Sequence, residues 1–451
     1  MPNLLEQAKI AAQQLNWSLV NHYLQQFISE TKSNKTTSTF PNDNIVLDEV
    51  IDLAIEVLEN GDFQEKWDID KLFKQIGKPA ISPLIEILKD REIDLEERWF
   101  VTRILAEFNS EEVLEVMGNI IVSSEAEDLQ EIAAETLANF GDSGVELLTD
   151  LLAKPESRLL ATKALAQINC IKIIPALLTV VKDENDDVRI AAISALNNYC
   201  DSRIPIVLIS ALKDTVAKVR KAAIIGLASY ANLHQELGLV KLLQPLLWDI
   251  NFEVSQQAAI ALGKIGTNSA ATALFELLKT VTVPVFLKID SVRALGWMET
   301  RLSLEYLQNL LGYNFLVEDN SHAQVVNEII TALGKLEKSE LKPQATDILI
   351  EFIVSDNSSL ESVYVKKSLA LALGYLGNIH ALDYLIQLLE DEDNSVRLHS
   401  VAAMKQLDSE KAYQRLIDLS QEATLNSQLK TGIEIAIAEM NKFNKIGNRE
   451  K

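Results

Sequence analysis

The stretch DENDDVRIAAISAL (183–196) is followed by DTVAKVRKAAIIGL (214–227), and then by DINFEVSQQAAIAL (249–262) and DEDNSVRLHSVAAM (391–404). Each copy sets an Asp five residues before a Val and an apolar residue eight residues after that Val. Self-similarity at such a fixed period signals stacked supersecondary units rather than independent globular domains. Following the last apolar position along the chain gives Phe73, Leu105, Leu137, Leu165, Leu196, Leu227, Leu262, Leu295, Leu333, Leu373 and Met404, spaced 28 to 40 residues apart. Each of these anchors closes an amphipathic helix, called A below. In nine units the residue before the anchor is small: Thr136, Ala164, Ala195, Gly226, Ala261, Ala294, Ala332, Ala372 and Ala403. Small residues there predict close approach between neighbouring A helices.

Four residues past the anchors stand Gly77, Asn109, Gly141, Asn169, Gly266 and Gly377. Both residue types tolerate the left-handed conformation that ends a helix, so these positions read as helix stops. A second helix B follows, opened by Pro83, Pro175, Pro205 or Pro245 and carrying stripes such as PLIEILKD and YLIQLLED. One hairpin cannot bury its own stripe. The pattern therefore predicts an all-α, right-handed α-solenoid of about eleven helical hairpins over 62–408. Around it the reading places an N-terminal helical segment (1–30), a Ser/Thr-rich flexible linker (31–44), a helix leading into the array (45–61) and a C-terminal helical cap with a short tail (409–451).

Composition agrees with helices. Hydrophobic residues make up 48% of 451, with only 16 Gly and 10 Pro, which argues against disorder and against a turn-rich β fold. With 65 acidic and 42 basic residues the net charge is −23, so nucleic acid and anionic membranes are poor partners. Cys170 and Cys200 lack CxxC spacing and read as inert thiols of a reducing compartment. The nearly apolar runs 173–181 and 204–212 are about half a membrane span, and the N-terminus has no signal-peptide pattern, so a soluble cytoplasmic protein is expected.

The D-x-x-x-x-V-R-x-x-A-x-x-A-L pattern followed by a P-x-L-x-x-L-L helix resembles the HEAT-like repeats of the phycobilisome lyase family over about 62–408. NWSLVNHYLQQF and RWFVTRILAEF look like cyanobacterial members of that group. The resemblance implies a role around phycobiliproteins: either bilin attachment by an E/F-type lyase, or non-catalytic scaffolding in the assembly of phycobilisomes or other photosynthetic complexes. Its acid and base positions fall on Asp183 and Arg189, Asp214 and Arg220, and Asp391 and Arg397. Physically, these form a charge ladder between adjacent turns, with the Asp also accepting backbone N–H groups. Gln130, Ser255 and Val326 occupy the Arg position in other units and interrupt the ladder, where the stack is expected to bend or loosen.

The chain carries no HExxH, GxSxG, Walker or GxGxxG motif, and none of His22, His234, His322, His380 or His399 precedes a Glu, which excludes the di-iron pattern of deoxyhypusine hydroxylase relatives. No metal or cofactor is expected, with phycobilin as a transferred ligand under the lyase reading. Trp248 replaces Lys182, Lys213 and Glu390 of sister units, so its indole is expected at the surface. Trp297 and Tyr375 replace polar residues such as Gln167, Asn198 and Lys264, and are either exposed anchors or locally buried by the wider repeats. Tyr313 and Phe315 lie in the insertion GYNFLVEDNSH (312–322), a further partner-binding candidate or a plain surface loop. Trp67 and Trp99 share a position held by Ile or Leu elsewhere and read as core. A scaffold gripping a basic or amphipathic protein through its B helices is the preferred function, and a bilin lyase or chaperone is the alternative.

Overall fold

The structure, a computed structural model, describes residues 3–33, 44–90, 92–124, 126–312, 321–355, 357–422 and 425–447. Among them are 26 α-helices, short 3-10 turns and no strand. The chain divides into two compact units, Met1–Tyr199 and Cys200–Lys451, and each is an α-solenoid of A and B helices.

In the first unit, helices Leu4–Gln13, Trp17–Ser33 and Asn44–Asn60 precede the repeats. The A helices that follow are Phe63–Ile76, Leu95–Leu105, Glu127–Asn139, Arg158–Gln167 and Asp186–Leu196. B helices Ile81–Lys89, Glu111–Ser123, Asp142–Leu151 and Ile173–Val180 alternate with them. The second unit continues the alternation, with A helices Ala217–Ala228, Phe252–Ile265, Val285–Met298, Ser321–Gly334 and Val363–Leu376. Its helix Asn394–Ser420 bends at Asp408, whose backbone (φ −166°, ψ 99°) leaves the helical region, and helix Ser427–Gly447 follows it. The segment before the bend is the last A helix, and the segment after it turns back as a B helix.

All eleven anchors, from Phe73 to Met404, are fully buried. Each contributes roughly 2 kcal/mol of apolar transfer free energy, so the repeat spacing is set by the core. From anchor Leu262 onward the small residue before an anchor packs against a glycine just after the preceding anchor. A Cβ on Gly263 would stand 2.8 Å from that of Ala294, one on Gly296 2.9 Å from Ala332, and one on Gly334 2.6 Å from Ala372. The A helices thus touch backbone to methyl, closer than two side chains would allow.

Gly77, Gly141, Gly266 and Gly377 all take positive φ at their helix ends. Asn109 and Asn169 do not, so the expected left-handed stop fails at both. Phe108 and Ile168 instead close those turns through N–H bonds to Leu105 O (2.9 Å) and Leu165 O (3.1 Å). The unit of Leu295 has Glu299 at the stop position, left-handed at φ 44°. Its carboxylate accepts the N–H groups of Glu337 (2.8 Å) and Lys338 (2.9 Å) in the next turn, which offsets a strain of about 1–2 kcal/mol. Pro245 does not open a helix B: the helix there, Leu239–Leu243, ends before it, and Pro245 falls in a 3-10 turn over Gln244–Trp248.

Candidate interaction surfaces

Three repeat junctions share one geometry, built from one cation, one carboxylate and one tight turn. Arg220 lies seven residues before its anchor Leu227 and reaches forward into the next repeat, where Nε and Nη2 grip Asp249 at 2.8 and 2.7 Å. Its Nη1 donates back to Asp214 O (2.8 Å) and Thr215 O (3.1 Å). Asp249 also accepts the Asn251 N–H at 2.9 Å, which fixes the turn into the following A helix. Both side chains are nearly covered, at 12% and 8% exposure. Burial alone would raise the Asp249 carboxyl, but the bonds from Arg220 and the Asn251 N–H, together with the Arg220 charge, bring it below the usual aspartate range. The same bonds hold the Arg220 guanidinium above its ordinary value despite burial.

Arg158 repeats the pattern, with Nη1 to Asp183 at 2.6 Å and Nε to Leu152 O at 2.7 Å. Lys366 bonds Asp391 in the same way. The ladder therefore differs from the pairing expected within one motif. Arg189 and Arg220 donate to the carbonyls of Asp183 and Asp214, and Arg220 gives its bidentate grip to Asp249 of the next repeat. The carboxylates of Asp183 and Asp391 go to the cation of the preceding repeat. Arg397 is left with Nε buried and unpartnered. The interruptions also differ in kind: Gln130 keeps the backward bonds, donating to Ile121 O (3.0 Å) and Ser124 O (2.9 Å), whereas Ser255 bonds only Phe252 O and Val326 is buried.

Trp248 is 54% exposed at the end of its 3-10 turn, as its register implied. It is followed by exposed Ile250 and Phe252, and Phe252 meets exposed Phe286 edge to face with ring centroids 4.9 Å apart. Trp248 thus heads an apolar patch on the second unit that sequence reading reduced to a single residue. The signal was available, because Phe252 and Phe286 stand ten and nine residues before their anchors. Trp297 and Tyr375 are also exposed, at the C-terminal ends of their A helices. Tyr313 and Phe315 lie outside the described residues.

Trp67 and Trp99 are not core. Trp67 is 36% exposed and stacks on exposed Phe63 at 6.0 Å, and the Arg103 guanidinium carbon lies 3.8 Å from the Trp67 ring centroid and 5.9 Å from that of Trp99. The position six before the anchor falls on the outer stripe of an A helix, shared with positions ten and two before it. Leu398 holds the same place and is exposed too, so an apolar residue there is no marker of the core. On the B helices of the second unit, Phe275 and Tyr306 stack at 4.1 Å, and the Tyr306 hydroxyl lies 3.0 Å from that of Thr272.

Cys170 and Cys200 are free thiols. Among the described residues no group of three or more His, Cys, Asp or Glu is placed to hold a metal ion, and no helix is long and apolar enough to cross a membrane. His322 is held below its usual value by burial and by the charge of Lys288.

Stacked A and B helices with a one-residue charge ladder define an α-solenoid, and residues 145–228, 204–288 and 359–438 match HEAT repeats. The chain carries HEAT repeats. A search of curated proteins returned no match. Among solved structures, the chain is similar to importin beta at 14% identity and TM-score 0.50, covering 98% of this chain and 71% of that one. It is similar to Kap121p bound to Nup53p at 13% identity and TM-score 0.52, covering 97% and 49%, and to Kap121p bound to Ste12p at 12% and 0.52, covering 96% and 50%. The chain spans about half the length of the Kap121p chains it matches. At these identities the likeness establishes the fold.

Proposed function

We propose that the protein is a non-catalytic scaffold or assembly factor that binds a basic or amphipathic protein segment. The observation that carries this reading is the exposed patch Trp248, Ile250, Phe252 and Phe286, framed by the exposed carboxylate of Glu253 and set on a chain of net charge −23. Large aromatics held at the surface by a rigid repeat supply contact area at low entropic cost, and surrounding acids select a cationic partner. That Kap121p binds Nup53p and Ste12p on a similar fold supports the class of function. The test is capture from native lysate with the intact chain and with the double variant Trp248→Ala, Phe252→Ala. A stoichiometric protein partner is expected with the first and a loss of at least tenfold in affinity with the second, at unchanged helical circular dichroism. Absence of any such partner sinks the reading.

The narrower form of this proposal places the partner among phycobiliproteins or other photosynthetic assembly components in the cytoplasm, and it rests on the resemblance of the repeat pattern. A second reading, a bilin lyase or chromophore chaperone, is favoured by one arrangement: Trp67, Trp99 and Arg103 combine aromatic faces with a cation, which suits a conjugated ring system bearing propionates. Mixing the protein with phycocyanobilin decides it. A red shift that Trp67→Ala removes supports the second reading, and an unchanged spectrum eliminates it.

A further inference from the structure

At three junctions the cation seven residues before the anchor meets the Asp thirteen residues before the next anchor, Arg158 with Asp183, Arg220 with Asp249 and Lys366 with Asp391, while Lys66 in the same register meets Glu96 instead. Arg98 holds the same register before Leu105, but the next repeat offers Ser124 where the others have Asp. The Ser124 hydroxyl still accepts the Ala126 N–H (3.2 Å), as the Asp carboxylates accept their own turn N–H groups. It thereby fixes the turn but supplies no anion. Arg98 Nε is left buried with no hydrogen-bond partner.

A cavity of about 410 Å³ opens at this place, at the C-terminal ends of helices Ile81–Lys89 and Glu111–Ser123. Its wall includes Lys89, Arg98, Asn119, Ser123 and Ser124, with Leu88 as apolar surface. Among the described residues the acid paired with either cation is Glu86, whose contact with Lys89 (2.7 Å) is more than half exposed on both sides and so weakly held. The carbonyls at the end of helix Glu111–Ser123 would repel an anion, but those of Ile121 and Ser124 are already taken by the Gln130 amide. The wall therefore presents two cations, an amide and two hydroxyls in a chain that is otherwise strongly acidic.

We propose that this cavity binds a small organic carboxylate, which occupies the place of the missing Asp and completes the Arg98 junction. The fork of a guanidinium matches a carboxylate in the geometry that Arg220 and Asp249 already display. The size suits a compact acid of a few carbons, with the second cation favouring a dicarboxylate. The site is independent of the Trp248 patch.

Isothermal titration of the full chain with succinate, and separately with an acidic hexapeptide, tests the assignment and its source. The variants are Arg98→Gln, which removes the fork, and Ser124→Asp, which fills the cavity with the chain's own carboxylate and keeps the fold. Succinate binding weakened about tenfold or more by both variants supports the proposal. Binding of the peptide alone, with the same losses, supports the carboxylate site and assigns its source to a protein side chain. No binding of either ligand, or binding that Ser124→Asp leaves untouched, overturns it.

Discussion

The Arg220 junction and the Arg98 junction are the same construction with and without one carboxylate. In the first, Asp249 binds both the turn and the guanidinium, and the two repeats are joined by a covered, bidentate pair. In the second, Ser124 binds the turn alone, and a cavity with a stranded guanidinium nitrogen stands where the pair would be. The comparison separates two jobs that the repeat's Asp performs at once. Shaping the turn needs only one acceptor oxygen, whereas joining repeats needs a charge.

The largest effect should come from breaking the closed junction. Asp249→Ala leaves Arg220 buried without its anion and is expected to cost about 3 kcal/mol, measured by urea unfolding of the intact chain. A loss below roughly 1 kcal/mol would show that the pair is ornamental. Acid should act on the closed junction as well. Because the folded Asp249 carboxyl lies below its unfolded value, its stabilisation is complete above the ordinary aspartate range and is lost as pH falls through the depressed folded value. Unfolding midpoints between pH 5 and pH 2 should therefore fall less steeply in Asp249→Asn than in the wild type. Installing the missing carboxylate by Ser124→Asp should stabilise the open junction by about 1 kcal/mol, seen as a higher melting temperature. Smallest of all, Arg98→Met should change stability by no more than about 0.5 kcal/mol, because no partner is lost, whereas Arg220→Met should resemble Asp249→Ala.

Much of this was legible along the chain. The eleven anchors and the four glycine stops follow from local periodicity, since helix register and positive φ are decided within a few residues. The ladder's acids were legible, but their partners were not. Asp183, Asp249 and Asp391 take cations 25, 29 and 25 residues upstream, across a whole hairpin, and Lys366 in place of Arg hides one of them. Trp67 and Trp99 were misread because side-chain chemistry was trusted over position: the same place carries exposed Leu398 in a later repeat, so an apolar residue there does not mark the core. The Arg98 cavity arises from an absence at Ser124, which a motif search passes over.

The glycine-to-alanine contacts of the second unit carry a consequence for how such a chain can change its length. Gly263, Gly296 and Gly334 each face the alanine of the following repeat, so removing one whole repeat from this stretch leaves a glycine opposite an alanine again. A repeat transplanted from the first unit would bring Ala106, Ala138 or Ala166 to that place, and its extra methyl would meet the alanine at under 3 Å, as a Cβ on any of those three glycines would. Repeats are interchangeable parts only within the stretch that shares this thread, so duplication and loss are open to that stretch on terms the rest of the chain does not offer.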